Sequence, residues 1–335
     1  MTIKGIVDAI RNHEVGYKVT RKCYRFFERR KSDLQTYAKK YIFDDRQKGS
    51  ENLLMVVMGF QPYYWEVVLN RVYLNVTQFM EPIDICLCVP EGANEIQGGV
   101  IRQFAARYGF SYLYIFEDLL AQVQNTAIKL HPFAQWIFKI DEDIILSDNY
   151  FSKMKNAYVR AENDCFYPIG IVSALINLNA GGFKLFLQSL GEWSDFEKRF
   201  KSRYYFNLLS QSREVDLIHK NEDVAQYIWE KTIPFDSKSA TIQRQNKGKY
   251  SVCPIRMSIG AILFVRKSWE NWGGFTVKGE GKLGVEEEQI CGNIINDMQV
   301  IIIAEDTLVG HLGFNKQKNT CKHFFEEHIN EIKHK

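Results

Sequence analysis

The sequence predicts an α/β protein: a mixed, mostly parallel sheet flanked by helices, with an N-terminal helical extension in front of it. Three observations carry that expectation. Between residues 53 and 146, short apolar runs of strand length alternate with longer segments of helical periodicity, and strands separated by helices of this length imply parallel pairing with helices on both faces. One such run, Trp136-Ile137-Phe138-Lys139-Ile140, ends in three consecutive acids, Asp141-Glu142-Asp143, where a buried strand would leave its sheet. With 335 residues, 46% hydrophobic and 25% charged, the chain has the composition of a globular protein long enough to bury a full core.

In chain order, Ile3, Ile6, Val7 and Ile10 fall at helical spacing and predict an amphipathic helix. Next come Lys18, Arg21, Lys22, Arg25, Arg29, Arg30 and Lys31, interleaved with Tyr24, Phe26 and Phe27. That mixture reads either as a basic helix docked by its aromatic face on the main domain or as a surface for anionic lipid head groups. The polar stretch 44–50, ending in Gly49-Ser50, reads as a linker, so the extension is placed at 1–49. The main domain then shows a strand at 53–58, a helix at 65–79 with Val68, Val72 and Val76 on one side, and a strand at 83–89. A helix at 100–108, a strand at 112–116 and a helix at 119–130 lead to the strand that carries the acids.

Beyond the acids the alternation becomes irregular. A strand is expected at 167–176 and helices at 193–205 and 222–231, while 183–190 is ambiguous. Residues 236–250, rich in Ser, Thr, Gln, Asn, Lys and Gly, read as a mobile surface loop. Residues 257–266 read as a strand with Gly260 inside it, and a glycine there marks close approach by a ligand or another backbone. A helical turn at 267–271 meets the bend Trp272-Gly273-Gly274-Phe275, and Gly284-Val285-Glu286-Glu287-Glu288 enters a helix running to about residue 298. A strand at 299–304 precedes Val309-Gly310-His311-Leu312-Gly313-Phe314, and a charged helix starts near residue 320. The main domain is thus set at 50–315, with halves 50–146 and 147–315, and the tail at 316–335.

Composition removes several classes. A net charge of +3 is too small to argue for nucleic acid. The apolar runs 53–60 and 259–265 are shorter than a bilayer span, and residues 1–10 lack the apolar core of a secretory signal, which predicts a cytoplasmic protein. Seven cysteines without a C-x-x-C pair, with Cys86 and Cys88 inside an apolar strand, predict buried free thiols in a reducing compartment. Neither a G-x-G-x-x-G turn nor a G-x-x-x-x-G-K-[ST] loop occurs, so nicotinamide-type and P-loop readings lose their main support.

What remains is acidic chemistry. In an extended segment Asp141 and Asp143 project to one side and Glu142 to the other. Two carboxylates in one small volume repel unless a cation lies between them, and hard oxygen ligands suit Mg²⁺ or Mn²⁺. Carboxylates at 286–288 are favoured by the helix dipole alone, yet one within reach of a hydroxyl could also take its proton. His311, flanked by Gly310 and Gly313, stands where a bare backbone could approach a pyrophosphate.

Taken together, these segments resemble, in order and spacing from about residue 53 to residue 314, the nucleotide-sugar-dependent glycosyltransferases of the Rossmann-like GT-A fold, most closely the family 2-like and β-galactosyltransferase-like group. Asp141-Glu142-Asp143 looks like their Asp-x-Asp motif, Gly284-Val285-Glu286-Glu287-Glu288 like their Gly-Gly-Glu-Asp-type helix start, and His311 like the histidine that completes the metal shell. The resemblance implies Mn²⁺ or Mg²⁺ held by Asp143 and His311, with Asp141 reaching the metal through water or contacting the ribose. It implies donor contacts from Gly59, Phe60, Glu91, Asn125, Lys129, Asp141 and Glu142, and an acceptor side at Gly260, Trp272, Gly273 and Gly274. Glu287 is the implied base, with Glu286 the alternative. Glu stands where the family usually has Asp, and Gly59-Phe60-Gln61 replaces its usual Pro-x-Tyr-Asn.

The implied activity is transfer of a sugar from a nucleotide diphosphate sugar to a hydroxyl of a glycan or lipid-linked acceptor, with inversion, in bacterial capsule, lipopolysaccharide or other envelope polysaccharide synthesis. The basic N-terminal segment would then sit at the inner face of the cell membrane. Two other readings stay open: a non-catalytic glycan-binding or scaffold protein on the same fold, and a sugar nucleotidyltransferase. The latter needs a glycine-rich basic loop after the first strand, which Gly59-Phe60-Gln61-Pro62 does not supply.

Overall fold

The computed structural model describes residues 37–93, 95–179, 181–200, 218, 221–254, 256–275, 285–313 and 317–333. The basic segment from Lys18 to Lys31, Gly284 and His219 lie outside them.

The expected alternation is present. Strand β1 (Tyr41–Asp44) and β2 (Asn52–Val57) are followed by α1 (Trp65–Gln78), β3 (Asp84–Val89), α2 (Glu95–Tyr108), β4 (Ser111–Ile115), α3 (Leu120–Leu130) and β5 (Trp136–Asp141). The second half holds β6 (Ile144–Leu146), α4 (Tyr150–Asp164), β7 (Ile169–Ile176), α5 (Phe183–Ser189), α6 (Trp193–Phe200), α7 (Glu222–Thr232) and α8 (Phe235–Gln245). It closes with β8 (Tyr250–Cys253), β9 (Ala261–Val265), α9 (Arg266–Trp272), α10 (Val285–Asn296), β10 (Val300–His311), α11 (Lys318–Glu327) and α12 (Ile329–Ile332).

The strands form one sheet in the order β1-β4-β3-β2-β5-β9-β7-β10-β6, with β8 paired to β10. Strands β2 to β5 are mutually parallel, and β9, antiparallel to both β5 and β7, returns β7 and β10 to the same direction. Six strands therefore end at one edge. Alternation along β2 divides the core: Leu53 and Met55 face one helical layer, Leu54 and Val56 the other. The mostly parallel, helix-flanked α/β class expected from the sequence is what the chain adopts.

Two segments differ from expectation. Residues 44–50 are no slack linker: β1 pairs with β4, and the Asp84 carboxylate accepts the backbone N–H groups of Lys48 and Ser50 at 2.6 and 2.8 Å. Residues 236–250, expected as a mobile loop, are helix α8 and strand β8. Their polar composition hides a stripe at helical spacing, since Phe235, Ser239 and Ile242 are buried.

The C-terminal helices pack on the same body. Phe325 meets Tyr64 edge-on at 4.9 Å. The buried guanidinium of Arg71 donates from Nε to the Ile332 carbonyl at 2.9 Å and from Nη1 to the Leu146 carbonyl and Asp236 at 3.0 and 2.9 Å.

Candidate functional site

Strand order reverses between β2 and β5: the chain runs outward from β2 through β3 to β4, then returns to the other side of β2. Ligands of open α/β sheets bind in the crevice beyond the carboxyl ends at such a point. Here the loop after β2 meets the acids after β5.

Glu142 ties the two loops together. Its carboxylate accepts N–H groups from Gly59 at 2.7 Å, Phe60 at 2.8 Å and the Trp65 indole at 2.6 Å. Burial pushes this carboxyl up to about 7 while the three donors pull it down. Gly59 has φ +137°, and a Cβ there would lie 2.3 Å from that of Ala93, so only glycine fits. With its oxygens so engaged, Glu142 is a clamp between loops, which corrects the expectation of a donor contact.

Asp143, the second residue of the turn between β5 and β6, points the other way. Its Oδ2 accepts from Gln61 Nε2 at 2.9 Å and lies 3.4 Å from His311 Nε2. Pairing of β6 with β10 produces this meeting, since His311 stands opposite Ile144 and the Leu312 N–H donates to the Asp143 carbonyl at 3.0 Å. His311 Nδ1 lies 2.9 Å from the Leu178 carbonyl, which can only accept, so Nδ1 carries a hydrogen and Nε2 offers its lone pair when neutral. Burial disfavours the charged ring, but the Asp143 carboxylate and the Leu178 carbonyl outweigh it and raise the pKa to about 9. Tyr63, whose hydroxyl donates to Gln61 Oε1 at 3.0 Å, is pushed up to about 12 by burial and by Asp143 and Glu142, so it stays a donor.

Asp141, the last residue of β5, has a charged partner within its own strand. Lys139, buried two residues earlier on the same face, places Nζ 2.6 Å from Asp141 Oδ1 and donates to the Ile259 carbonyl at 2.8 Å. Burial at the base of the crevice raises the Asp141 pKa and Lys139 opposes this, while 37% of the side chain stays open to solvent. Gly260 lies just before β9 instead of inside it, and a Cβ there would stand 3.3 Å from the Ser258 hydroxyl and 3.4 Å from Asp141 Oδ2, so the neighbours of this glycine are side chains of the protein.

Ile259 also links to the glutamate cluster. Its N–H donates to Glu287 Oε2 at 3.3 Å, and Arg256 Nε donates to Glu287 Oε1 at 2.7 Å. Burial raises the Glu287 pKa, and Arg256 opposes the rise. Glu286 is half-buried, and Glu288 is exposed with its Oε2 3.6 Å from Arg256.

Other expected site residues lie elsewhere. Asn125 is fully buried in mid-helix, accepting from the Trp269 indole and the Phe275 N–H at 3.0 and 2.9 Å and donating to the Phe275 carbonyl at 2.8 Å. It pins a bend of the chain. Lys129 is in the last turn of α3, towards the amino edge of the sheet, with Nζ 4.6 Å from the Tyr37 ring centre. Trp272 donates to Gln299, just before β10, and Gly273 and Gly274 (φ +81° and +80°) terminate α9. Because β9 runs antiparallel to β5, this bend falls at the amino edge, which removes it from the acceptor side. Gly310 likewise serves packing: a Cβ there would meet the Trp229 ring at 2.7 Å. Glu91 is exposed on the turn after β3, at the carboxyl edge.

The donor set fits a divalent cation. Asp143 offers a carboxylate oxygen and His311 a ring nitrogen, their 3.4 Å separation suits two ligands of one ion, and each has a second partner fixing its orientation. Among the described residues no group of three or more His, Cys, Asp or Glu side chains gathers into a cage. Two protein ligands with open positions is the arrangement of ions that also bind substrate phosphates.

No family model matches the chain, and no curated protein does. Among solved structures, GalNAc-T7 with UDP, GalNAc and Mn²⁺ is similar over 81% of this chain and 45% of its own, at 11% identity and TM-score 0.45. Mannosyltransferase PcManGT from Pyrobaculum calidifontis, in complex with GDP-Man and Mn²⁺, is similar over 92% and 68%, at 13% identity and TM-score 0.43. The chain thus spans less than half the length of the first. Similarity this loose decides neither family nor activity; the site's own geometry has to carry the functional reading.

Proposed function

We propose that the protein is a divalent-metal-dependent glycosyltransferase that moves a sugar from a nucleotide diphosphate sugar to a hydroxyl of a glycan or lipid-linked acceptor. The observation that carries this reading is the meeting of Asp143 and His311 at the strand-order switch, beside an Asp141 that a buried lysine holds. Asp143 and His311 Nε2 would hold Mn²⁺ or Mg²⁺, and the open side of Asp141 would be available to the ribose or to the hydrated ion. When bound, the ion supplies Lewis-acid stabilisation of the charge that builds on the diphosphate leaving group. Glu287 takes the acceptor proton with inversion at the sugar; its raised pKa makes it a stronger base than a free glutamate, and Arg256 orients it. The acceptor class extends to bacterial envelope polysaccharide at the inner face of the membrane, contacted by the basic segment from Lys18 to Lys31. Among the described residues no helix is long and apolar enough to cross a membrane.

The test is thermal stabilisation by UDP, GDP, ADP, CDP and dTDP, each with and without Mn²⁺, since a ligand of the folded state raises its melting temperature. One diphosphate should stabilise only with metal, and Asp143→Ala should abolish the effect. If no diphosphate stabilises under any metal condition, the transferase reading fails and a non-catalytic glycan-binding role on this fold takes its place.

A further inference from the structure

The loop after β2 does more than border the crevice. Gln61 is 1% exposed, and both ends of its amide are engaged: Nε2 donates to Asp143 Oδ2 and Oε1 accepts the Tyr63 hydroxyl. The Asp143 carboxylate removes the ambiguity of the amide, because the reversed orientation would put Oε1 against a carboxylate oxygen, and Tyr63 then donates to Oε1. The oxygen that Gln61 holds is also the one facing His311 Nε2.

Tyr63 is held in turn. Its ring meets Tyr64 edge-on at 4.3 Å, and Tyr64 meets Phe325 of α11. Lys322 Nζ, one turn earlier on α11, lies 4.7 Å from the Tyr63 ring centre. A continuous run of contacts therefore joins α11 to the Asp143 carboxylate.

We propose that Gln61, oriented by Tyr63, is a positioning residue for the cation: it fixes the rotation of the Asp143 carboxylate so that Oδ2 meets His311 across a ligand-to-ligand gap. Gln61 does not touch the ion or the donor. A second partner of this kind typically changes metal affinity by about 10- to 100-fold. Without it, Asp143 rotates about its terminal bond and the ion meets the correct geometry only part of the time. The inference rests on the metal component of the function proposed above.

Mn²⁺ binding to the purified full-length protein, followed by titration calorimetry and by the paramagnetic resonance signal of free Mn²⁺, separates the two. If the wild type binds no Mn²⁺, with or without the stabilising diphosphate, the metal reading fails and this inference with it. If the wild type binds, Gln61→Leu should weaken binding about 10- to 100-fold. Tyr63→Phe removes the donor that holds Gln61 Oε1 and so loosens the amide, and should weaken binding by a smaller factor, about 3- to 10-fold. It also serves if Gln61→Leu does not fold. A lowered melting temperature in the metal-free variants with Mn²⁺ affinity unchanged would assign Gln61 a purely structural role and overturn the proposal.

Discussion

Two buried aspartates at opposite ends of the sheet show how differently its edges are finished. Asp84, at the start of β3, and Asp143, just past the end of β5, are each 4% exposed. At the amino edge Asp84 is saturated: one oxygen takes the Lys48 N–H and the other that of Ser50. Nearby, Arg266 caps the Ala134, His131 and Ile128 carbonyls at 2.6, 2.6 and 3.1 Å. At the carboxyl edge Asp143 has one donor in Gln61 and one ionisable neighbour in His311, and no hydrogen bond from a described residue reaches its Oδ1. Buried polar groups are ordinarily paired. A carboxylate whose two oxygens both take backbone N–H groups is architecture, whereas one with an unengaged oxygen beside a histidine can receive something positive.

The comparison can be broken from either end. Asp143→Ala should abolish Mn²⁺-dependent donor turnover and weaken Mn²⁺ binding by at least about 100-fold; calorimetry and a donor-hydrolysis assay check both. Glu287→Gln should lower kcat by about 10²- to 10⁴-fold while nucleotide diphosphate binding persists, because it removes a proton acceptor and leaves the metal ligands alone. Unchanged kcat would move the base to Glu286.

The amino edge should give the opposite pattern. Arg266→Ala removes a hydrogen bond from each of three carbonyls and should cost about 2–4 kcal/mol in denaturant unfolding, with Mn²⁺ affinity unaltered. Loss of metal binding in this variant would show that the edges are not independent.

The smallest effect concerns pH. In metal-free protein His311 is raised from 6.5 to about 9, so the stabilisation from its pairing with Asp143 is complete below about pH 6.5 and is lost as pH rises through about 9. Wild type and His311→Asn should therefore differ in melting temperature by a few degrees at pH 6 and converge near pH 10. Since the ion takes the place of the Nε2 proton, Mn²⁺ affinity should rise over the same interval, which a titration series detects.

The carboxyl edge was partly legible in the sequence. An acid triplet after an apolar run and a histidine late in the chain are local signals, and the structure brings Asp141, Asp143 and His311 to one edge. Lys139 was visible as a lysine inside a buried strand, but its role depends on Ile259, 120 residues away in sequence. Gln61 and Arg256 carry no local signal, because an amide or a guanidinium gains meaning only from what folding sets beside it. The bend at Trp272 was misplaced for a different reason: which edge it occupies depends on the direction of β9, and pairing direction is a tertiary fact. Polar composition concealed α8, whose buried stripe of Phe235, Ser239 and Ile242 includes only two large apolar side chains.

Arg71 has a practical consequence. Beside the Asp236 carboxylate and the Leu146 carbonyl, its guanidinium takes the Ile332 carbonyl of α12 as an acceptor, which a buried cation needs for its remaining N–H groups. Removal of α12 would take that acceptor away, and the damage would begin at α1, far in sequence from the deletion.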